Sequence, residues 1–497
     1  MKIKLYNTLS RKIEEFNPIK KNEVGYYTCG PTVYDYPTIG NFRSYLFEDV
    51  LRRVLEFNKY NVLHVQNITD VGHLTSDADT GEDKMQLAAK RDHKSAYEVA
   101  KYYTKTYKDD MKKLNILAPS VWCKATEHID EQIDLVKVLE EKGFTYITDD
   151  GVYFDTSKLK DYGKLAKINL AGIRAGVRVK MGDKKNPTDF ALWKFSYPSG
   201  RLFDPTKDDA KNRRQMEWSS PWGLGFPGWH IECSAMSMKY LGKEFDIHCG
   251  GVDHIGVHHT NEIAQSEAAN GVIPARFWIH GEYLLVDNDK MSKSKKNFYT
   301  IRDLEKKGYN PLSFRYLVLM THYRQKMNFT WESLLAAQKG LAQIYGFLYN
   351  MFLLKNDIAK TTNVEFNKYL VDKKNEFLDD INNDLNTSQA LATMFEVMHD
   401  SNDQLNKGLL SKKDLLNLEK LFLDFDKVFG LKFKQYLEKG KKGEIPKKVK
   451  KLLTLREGFR LKKNFDKSDE IRLEIEKLGY KVEDAQGGPI LKKIDIQ

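Results

Sequence analysis

An α/β fold built on a doubly wound parallel sheet, followed by an all-α helical bundle and a small basic C-terminal module, is the architecture this sequence predicts. Three observations carry it. Strand-like and helix-like stretches alternate around Gly/Pro turns over residues 1–325. From Trp331 the periodicity becomes purely helical. A basic Gly/Pro linker, Lys439–Lys448, then precedes one last short segment.

The elements follow in order. Val24–Cys29 reads as a strand, Gly30-Pro31 as its turn, and a helix begins near Asn41, with Leu46, Val50, Leu51, Val54 and Leu55 at 3–4 spacing. Asn61–Val65 is a second strand, and Asp246–His248 a later one before Gly250-Gly251. The stretch 120–225 is less regular and reads as an insertion, with polar Arg201–Arg214 as a loop. Leu334, Leu335, Leu341, Ile344, Tyr345 and Leu348 keep a helical period, as do Leu391, Met394, Phe395 and Met398. Ser411 with Asp414 opens another helix that ends before Gly430. Two short helices, Val449–Lys463 and Ser468–Leu478, and a Gly-rich tail from Gln486 complete the chain. The expected domains are 1–325, 326–438 and 446–497.

Composition narrows the class. The 497 residues are 41% hydrophobic and 30% charged, as in soluble globular proteins. No apolar run approaches the ~18 residues of a membrane span. The N-terminus has charges and no apolar core, so no signal peptide is read and a cytoplasmic location is expected. The net charge is +11, and residues 441–497 hold 16 Lys and Arg against 10 Asp and Glu. That concentration suits a polyanionic partner such as RNA. Four dispersed cysteines, Cys29, Cys123, Cys233 and Cys249, make neither a disulfide framework nor a local CxxC site.

Lys290-Met291-Ser292-Lys293-Ser294 puts two lysines and two hydroxyls in five residues, a composition suited to gripping a triphosphate. This KMSKS string resembles the nucleotide loop of class I aminoacyl-tRNA synthetases. Three further segments, YTCGPTVYDYPTIGN (Tyr27–Asn41), GWHIECSAM (Gly228–Met236) and FDIHCGGVDHIGVHHTNEIAQSE (Phe245–Glu267), complete a pattern similar to the cysteinyl-tRNA synthetase family. The likeness runs from LYNTL at the start to KSDEIRLEIEKLGY near the end.

The resemblance implies a Rossmann-like catalytic domain, ATP with Mg2+, L-cysteine and cysteine tRNA as substrates, and a monomer. It implies one zinc held by Cys29, Cys233, His258 and Glu262. Zinc accepts thiolate, imidazole and carboxylate, and the i,i+4 spacing puts His258 and Glu262 on one helix face. His259 is an alternative to His258. Trp229 and His248, with Cys29, are implied beside the substrate, although Trp229 could equally be a core residue. Cys123 and Cys249 read as structural.

For the nucleotide, the family has HIGH where this chain has Thr38-Ile39-Gly40-Asn41. Gly40 permits close backbone approach, whereas Thr38 and Asn41 can hydrogen-bond but carry no charge. Gly250, Gly251 and Asp253 are expected around the adenosine, and Lys290 and Lys293 on ATP. The rival readings are a cysteine ligase of mycothiol biosynthesis sharing this core, and a non-catalytic, zinc-stabilised RNA-binding protein.

Overall fold

The computed structural model describes residues 2–72, 82–167, 184–201, 204, 214–291, 297–351, 359–442, 446–485 and 488–493. Two compact units emerge. One comprises Lys4–Ile301 and Tyr323–Asn328; the other comprises Met1–Ile3, Arg302–His322 and Phe329–Gln497.

The first unit is organised by a five-stranded sheet. Its strands are β1 (Glu23–Thr28), β2 (Asn61–Ile68), β3 (Val121–Lys124), β4 (Phe245–Gly251) and β5 (Ala275–Gly281). Every pairing is parallel, in the order β5-β4-β1-β2-β3. β4 is buried along its whole length, as a central parallel strand must be. Helix α1 (Ile39–Phe57) leads from β1 to β2, and α2 (Lys84–Asp92) with α3 (Ala96–Lys113) from β2 to β3. Helix α4 (Ile231–Leu241) precedes β4, and α5 (His258–Asn270) joins β4 to β5. In a sheet of this order the direction of winding reverses between β1 and β4, and ligands bind at the carboxyl ends of those strands.

The expected insertion at 120–225 takes a different form. Its first residues, Val121–Lys124, are the edge strand β3, in register with Val65–Ile68 of β2. Four residues of mixed burial carry too little period-2 signal to read as a strand. A second, antiparallel five-stranded sheet lies within residues 145–227, with Phe154, Phe190 and Trp193 in its core. Nearly all of the loop expected over Arg201–Arg214 lies outside the described residues.

The second unit is helical, and it begins before the expected 326. Helix α6 (Pro311–Leu319) belongs to it: Arg315 is fully buried and donates to Phe429 O, and Thr387 Oγ1 donates to Leu319 O at 2.8 Å. The helix signalled by Ser411 spans Lys412–Phe429, with a Ser411–Asp414 capping box and Gly430 at φ +64°. Near the end, helices Lys447–Leu461 and Phe465–Lys477 are followed by an antiparallel hairpin, Tyr480–Ala485 with Gly488–Lys493. The expected Gly-rich tail is thus in part a strand, and Val449, Ile475, Tyr480 and Val482 form a small buried core in this module.

One buried cation ties α1 to the segment leading toward Lys290. Arg43 is 4% exposed and donates to the carbonyls of Tyr283 and Gln325. Burial lowers its pKa to about 10. Arg43→Leu removes both charge-assisted hydrogen bonds of a buried side chain, so stability is expected to fall by roughly 2 kcal/mol, read as a lower urea midpoint of the first unit.

Candidate active site and metal centre

Cys29 follows the last residue of β1, and its N–H reaches Cys249 O in β4 at 3.4 Å. Its sulfur faces the first turn of α5. Cys29 Sγ lies 3.4 Å from His258 Nε2, 3.4 Å from His259 Nε2 and 4.0 Å from Glu262 Oε1. His258 Nε2 meets Glu262 Oε1 at 2.9 Å. These four donors lie within 4.8 Å of one another. Cys233, buried on α4, borders the group, its thiol against both Cys29 and His258. Three of the four expected ligands are therefore mutually close, and His259, the expected alternative to His258, joins the group beside it while Cys233 borders it.

A further layer of polar contacts holds these donors. His258 Nδ1 shares a 2.7 Å hydrogen bond with His230 Nδ1. His259 Nδ1 pairs with His280 Nε2 at 2.8 Å, and His280 Nδ1 with Thr8 Oγ1 at 2.8 Å. His248, expected beside the substrate, is bonded to Glu262 Oε2 at 2.8 Å and stacked on Trp278. Its place in the fully buried β4 explains this. Neither His230, His280 nor Thr8 carried a sequence signal, because their partners are distant in the chain.

Electrostatics fit a cation site. Burial pushes the Cys29 thiol well above its ordinary range, and Cys233 and Glu262 add to the shift. Burial also opposes the charge on His258 and Glu262, but their mutual attraction outweighs it. The His258 pKa ends well above normal, drawn up by Glu262 and Cys233, and the Glu262 pKa well below, drawn down by His248 and then His258. His259 is kept neutral by burial and by His248 and His280. Buried thiolate, imidazole and carboxylate in one cluster match the donor preferences of zinc.

The cluster adjoins a cavity of about 430 Å³ lined by Cys29, Thr38, Gly40, Asn41, Gly250, Gly251, Asp253 and Lys290. Thr38 and Asn41 cap α1 with each other: Asn41 N donates to Thr38 Oγ1 at 3.2 Å and Thr38 N to Asn41 Oδ1 at 2.9 Å. Such a cap contributes about 1 kcal/mol and fixes the helix end that points at the cavity. Ile39 N also donates to Tyr299 O at 2.9 Å, joining this motif to the chain just after the KMSKS string. At Gly250 a Cβ would come within 2.3 Å of His254 Nδ1 and 2.8 Å of His259, so only glycine fits. Lys290 lies 5.5 Å from the Tyr283 ring centroid. Lys293 lies outside the described residues. Trp229 is half-buried, not a core residue, with Lys84 Nζ 4.7 Å above its ring. Lys84 lines the cavity too, and sequence spacing gave no hint of it.

Metal content distinguishes the donors. Cys29→Ser, His258→Ala, Glu262→Ala and Cys233→Ser are each expected to lose zinc on dialysis against a chelator. His259→Ala is expected to keep it with affinity lowered roughly 10–100-fold. The reverse order for Cys233 and His259 would reassign the fourth ligand.

Comparison with known proteins follows the same lines. The family model of the tRNA synthetases class I (C) catalytic domain matches residues 15–339, and that of the DALR domain residues 376–434. Cysteine–tRNA ligase 1 of Burkholderia lata is 46% identical over 98% of this chain and 96% of its own length. Cysteine–tRNA ligase of Treponema denticola is 41% identical over 99% of this chain and 100% of its own. Among solved structures, Mycobacterium tuberculosis methionyl-tRNA synthetase with methionyl-adenylate aligns with a TM-score of 0.58 at 14% identity, covering 84% of this chain and 91% of that one. That likeness concerns the fold. With full-length identity above 40% to curated relatives and a catalytic-domain match over most of the chain, this protein belongs to the cysteine–tRNA ligase family of class I synthetases.

Proposed function

We propose that this chain activates L-cysteine with Mg·ATP to cysteinyl-adenylate and then transfers the cysteinyl group to the 3′-terminal adenosine of cysteine tRNA. It acts as a monomer in the cytoplasm, with one zinc per chain. The observation that carries the reading is the buried Cys29–His258–Glu262 cluster, bordered by Cys233, at the inner end of a nucleotide-sized cleft. Bound there, zinc supplies a soft Lewis-acid site that takes a thiolate in preference to a hydroxyl. A pocket judging shape alone discriminates poorly between near-isosteres such as cysteine and serine.

The chain's own residues do the rest. The N-terminal amides of α1, set by Thr38 and Asn41, present positive dipole to phosphate. Gly40, Gly250 and Gly251 let the nucleotide approach the backbone. Asp253, which lines the cleft, binds the ribose hydroxyls on this reading, and Lys290 with Lys293 neutralise the departing pyrophosphate. A cysteine carboxylate oxygen attacks the α-phosphorus in line, and the bond to pyrophosphate breaks. The attacking group is already an anion, so no general base is needed and catalysis is positioning plus electrostatics. Among the described residues no helix is long and apolar enough to cross a membrane.

A mycothiol-type cysteine ligase would lack the terminal module. The segment from Lys447 to Lys493 forms two helices and a hairpin, and full-length tRNA ligase relatives align over nearly the whole chain. The test is cysteine-dependent exchange of pyrophosphate into ATP, followed by charging of cysteine tRNA. Robust exchange with cysteine, and exchange with serine lower by at least about a hundredfold, is expected. No exchange from zinc-loaded protein would reject catalysis, and exchange without charging would favour a different acceptor.

A further inference from the structure

We propose that Lys84 is a catalytic residue of the activation step, its ammonium holding the negative charge shared by the cysteine carboxylate and the α-phosphate as they join. This rests on the cysteine-activating reading above and adds to it a residue that neither signature motif contains.

The charge balance of the cleft motivates the assignment. Among the described residues its lining includes Asp253 and Glu282, and Asp35 that already pairs with Arg91 at 3.2 Å, with two lysines, Lys84 and Lys290. A nucleotide and an amino-acid carboxylate bring further negative charge into this space. The helix-start motif cannot offset it, since Thr38 and Asn41 are uncharged and bonded to each other.

The two lysines occupy different ends. Lys290 lies beside Tyr283, at the start of the KMSKS string. Lys84 Nζ lies 4.7 Å over the Trp229 ring and 5.8 Å from that of Tyr34. Trp229 precedes His230, which bonds the cluster residue His258. Lys84 is therefore at the amino-acid side of the cleft, where the new carboxyl–phosphate bond forms.

Its mount is stiff. Lys84 is the first residue of α2, whose cap Asp83 accepts from Met85 N at 2.7 Å and Gln86 N at 3.1 Å. Arg214 locks Asp83 from across the fold, pairing with its carboxylate and donating to Gly72 O at 3.1 Å. The rings of Trp229 and Tyr34 favour a cation here, and the helix position works against it. A cation at a helix N-terminus opposes the helix dipole. A fixed cation over an apolar ring, aimed into a cleft, is the arrangement that stabilises developing charge without reorganisation. During the step Lys84 keeps its proton. The carboxylate–phosphorus bond forms, and the electron pair of the broken bond leaves with pyrophosphate.

The experiment compares Lys84→Met and Lys84→Arg with the wild-type, zinc-loaded protein. Lys84→Met is expected to lower kcat for cysteine-dependent exchange about a hundredfold, with zinc content, melting temperature and KM for ATP close to wild type. Lys84→Arg should recover part of the loss, because charge and not shape is what is missing. Exchange in Lys84→Met within roughly threefold of wild type overturns the assignment alone. So does a loss that tracks zinc or unfolding and that arginine fails to relieve. No exchange in the wild type overturns the parent reading as well.

Discussion

Two parallel strands end side by side at the point where the sheet changes its direction of winding, and the rest of the site depends on that adjacency. Ile247, His248 and Cys249 of β4 stand in register with Tyr26, Tyr27 and Thr28 of β1. The next residues on each strand then face one opening: Cys29 on one side, Gly250 and Gly251 on the other. A sulfur donor and a glycine-lined cavity wall are thereby brought together by backbone hydrogen bonding. Helix α5 returns from β4 with His258, His259 and Glu262 in its first two turns, and the group closes on Cys29.

The same constraint creates an electrostatic problem. Glu262 and the imidazoles of His248, His259 and His280 are buried, and that of His258 largely so. Burying such groups is costly unless each is paired. Here each is bonded to another, out to Thr8 and His230. Without a cation the Cys29 thiol is held protonated by burial and by its neighbours. A divalent cation inverts that preference, because a coordinating thiol is deprotonated outright. The cluster is thus poised to gain from a metal. Zinc held by these residues would supply a soft Lewis acid that favours a thiolate over a hydroxyl.

Legibility in the sequence tracked the range of the interactions involved. The closeness of His258 and Glu262 on α5 could be read because i,i+4 spacing is local, and the α1 start because Thr38-Ile39-Gly40-Asn41 is contiguous. The helix from Ser411 to Gly430 carried both of its end signals. What depended on distant partners stayed hidden. Strand β3 exists because β2 offers it an edge, not because its four residues alternate. Helix α6 joins the helical unit through Arg315 and Thr387, contacts that span 114 and 68 residues. His259 entered the metal group through side-chain direction, which spacing alone does not determine. Lys84 reached the cleft through an Asp83–Arg214 pair spanning 131 residues.

The central claim is that the amino acid is chosen by a bond between its thiolate and a metal held at the end of β1. Replacing the metal by cobalt makes that bond visible as sulfur-to-metal charge-transfer absorption. Titration of the cobalt protein with L-cysteine should produce a new saturable band, and L-serine at the same concentrations should produce none. Identical spectra with the two amino acids, at concentrations where cysteine is bound, would contradict the account.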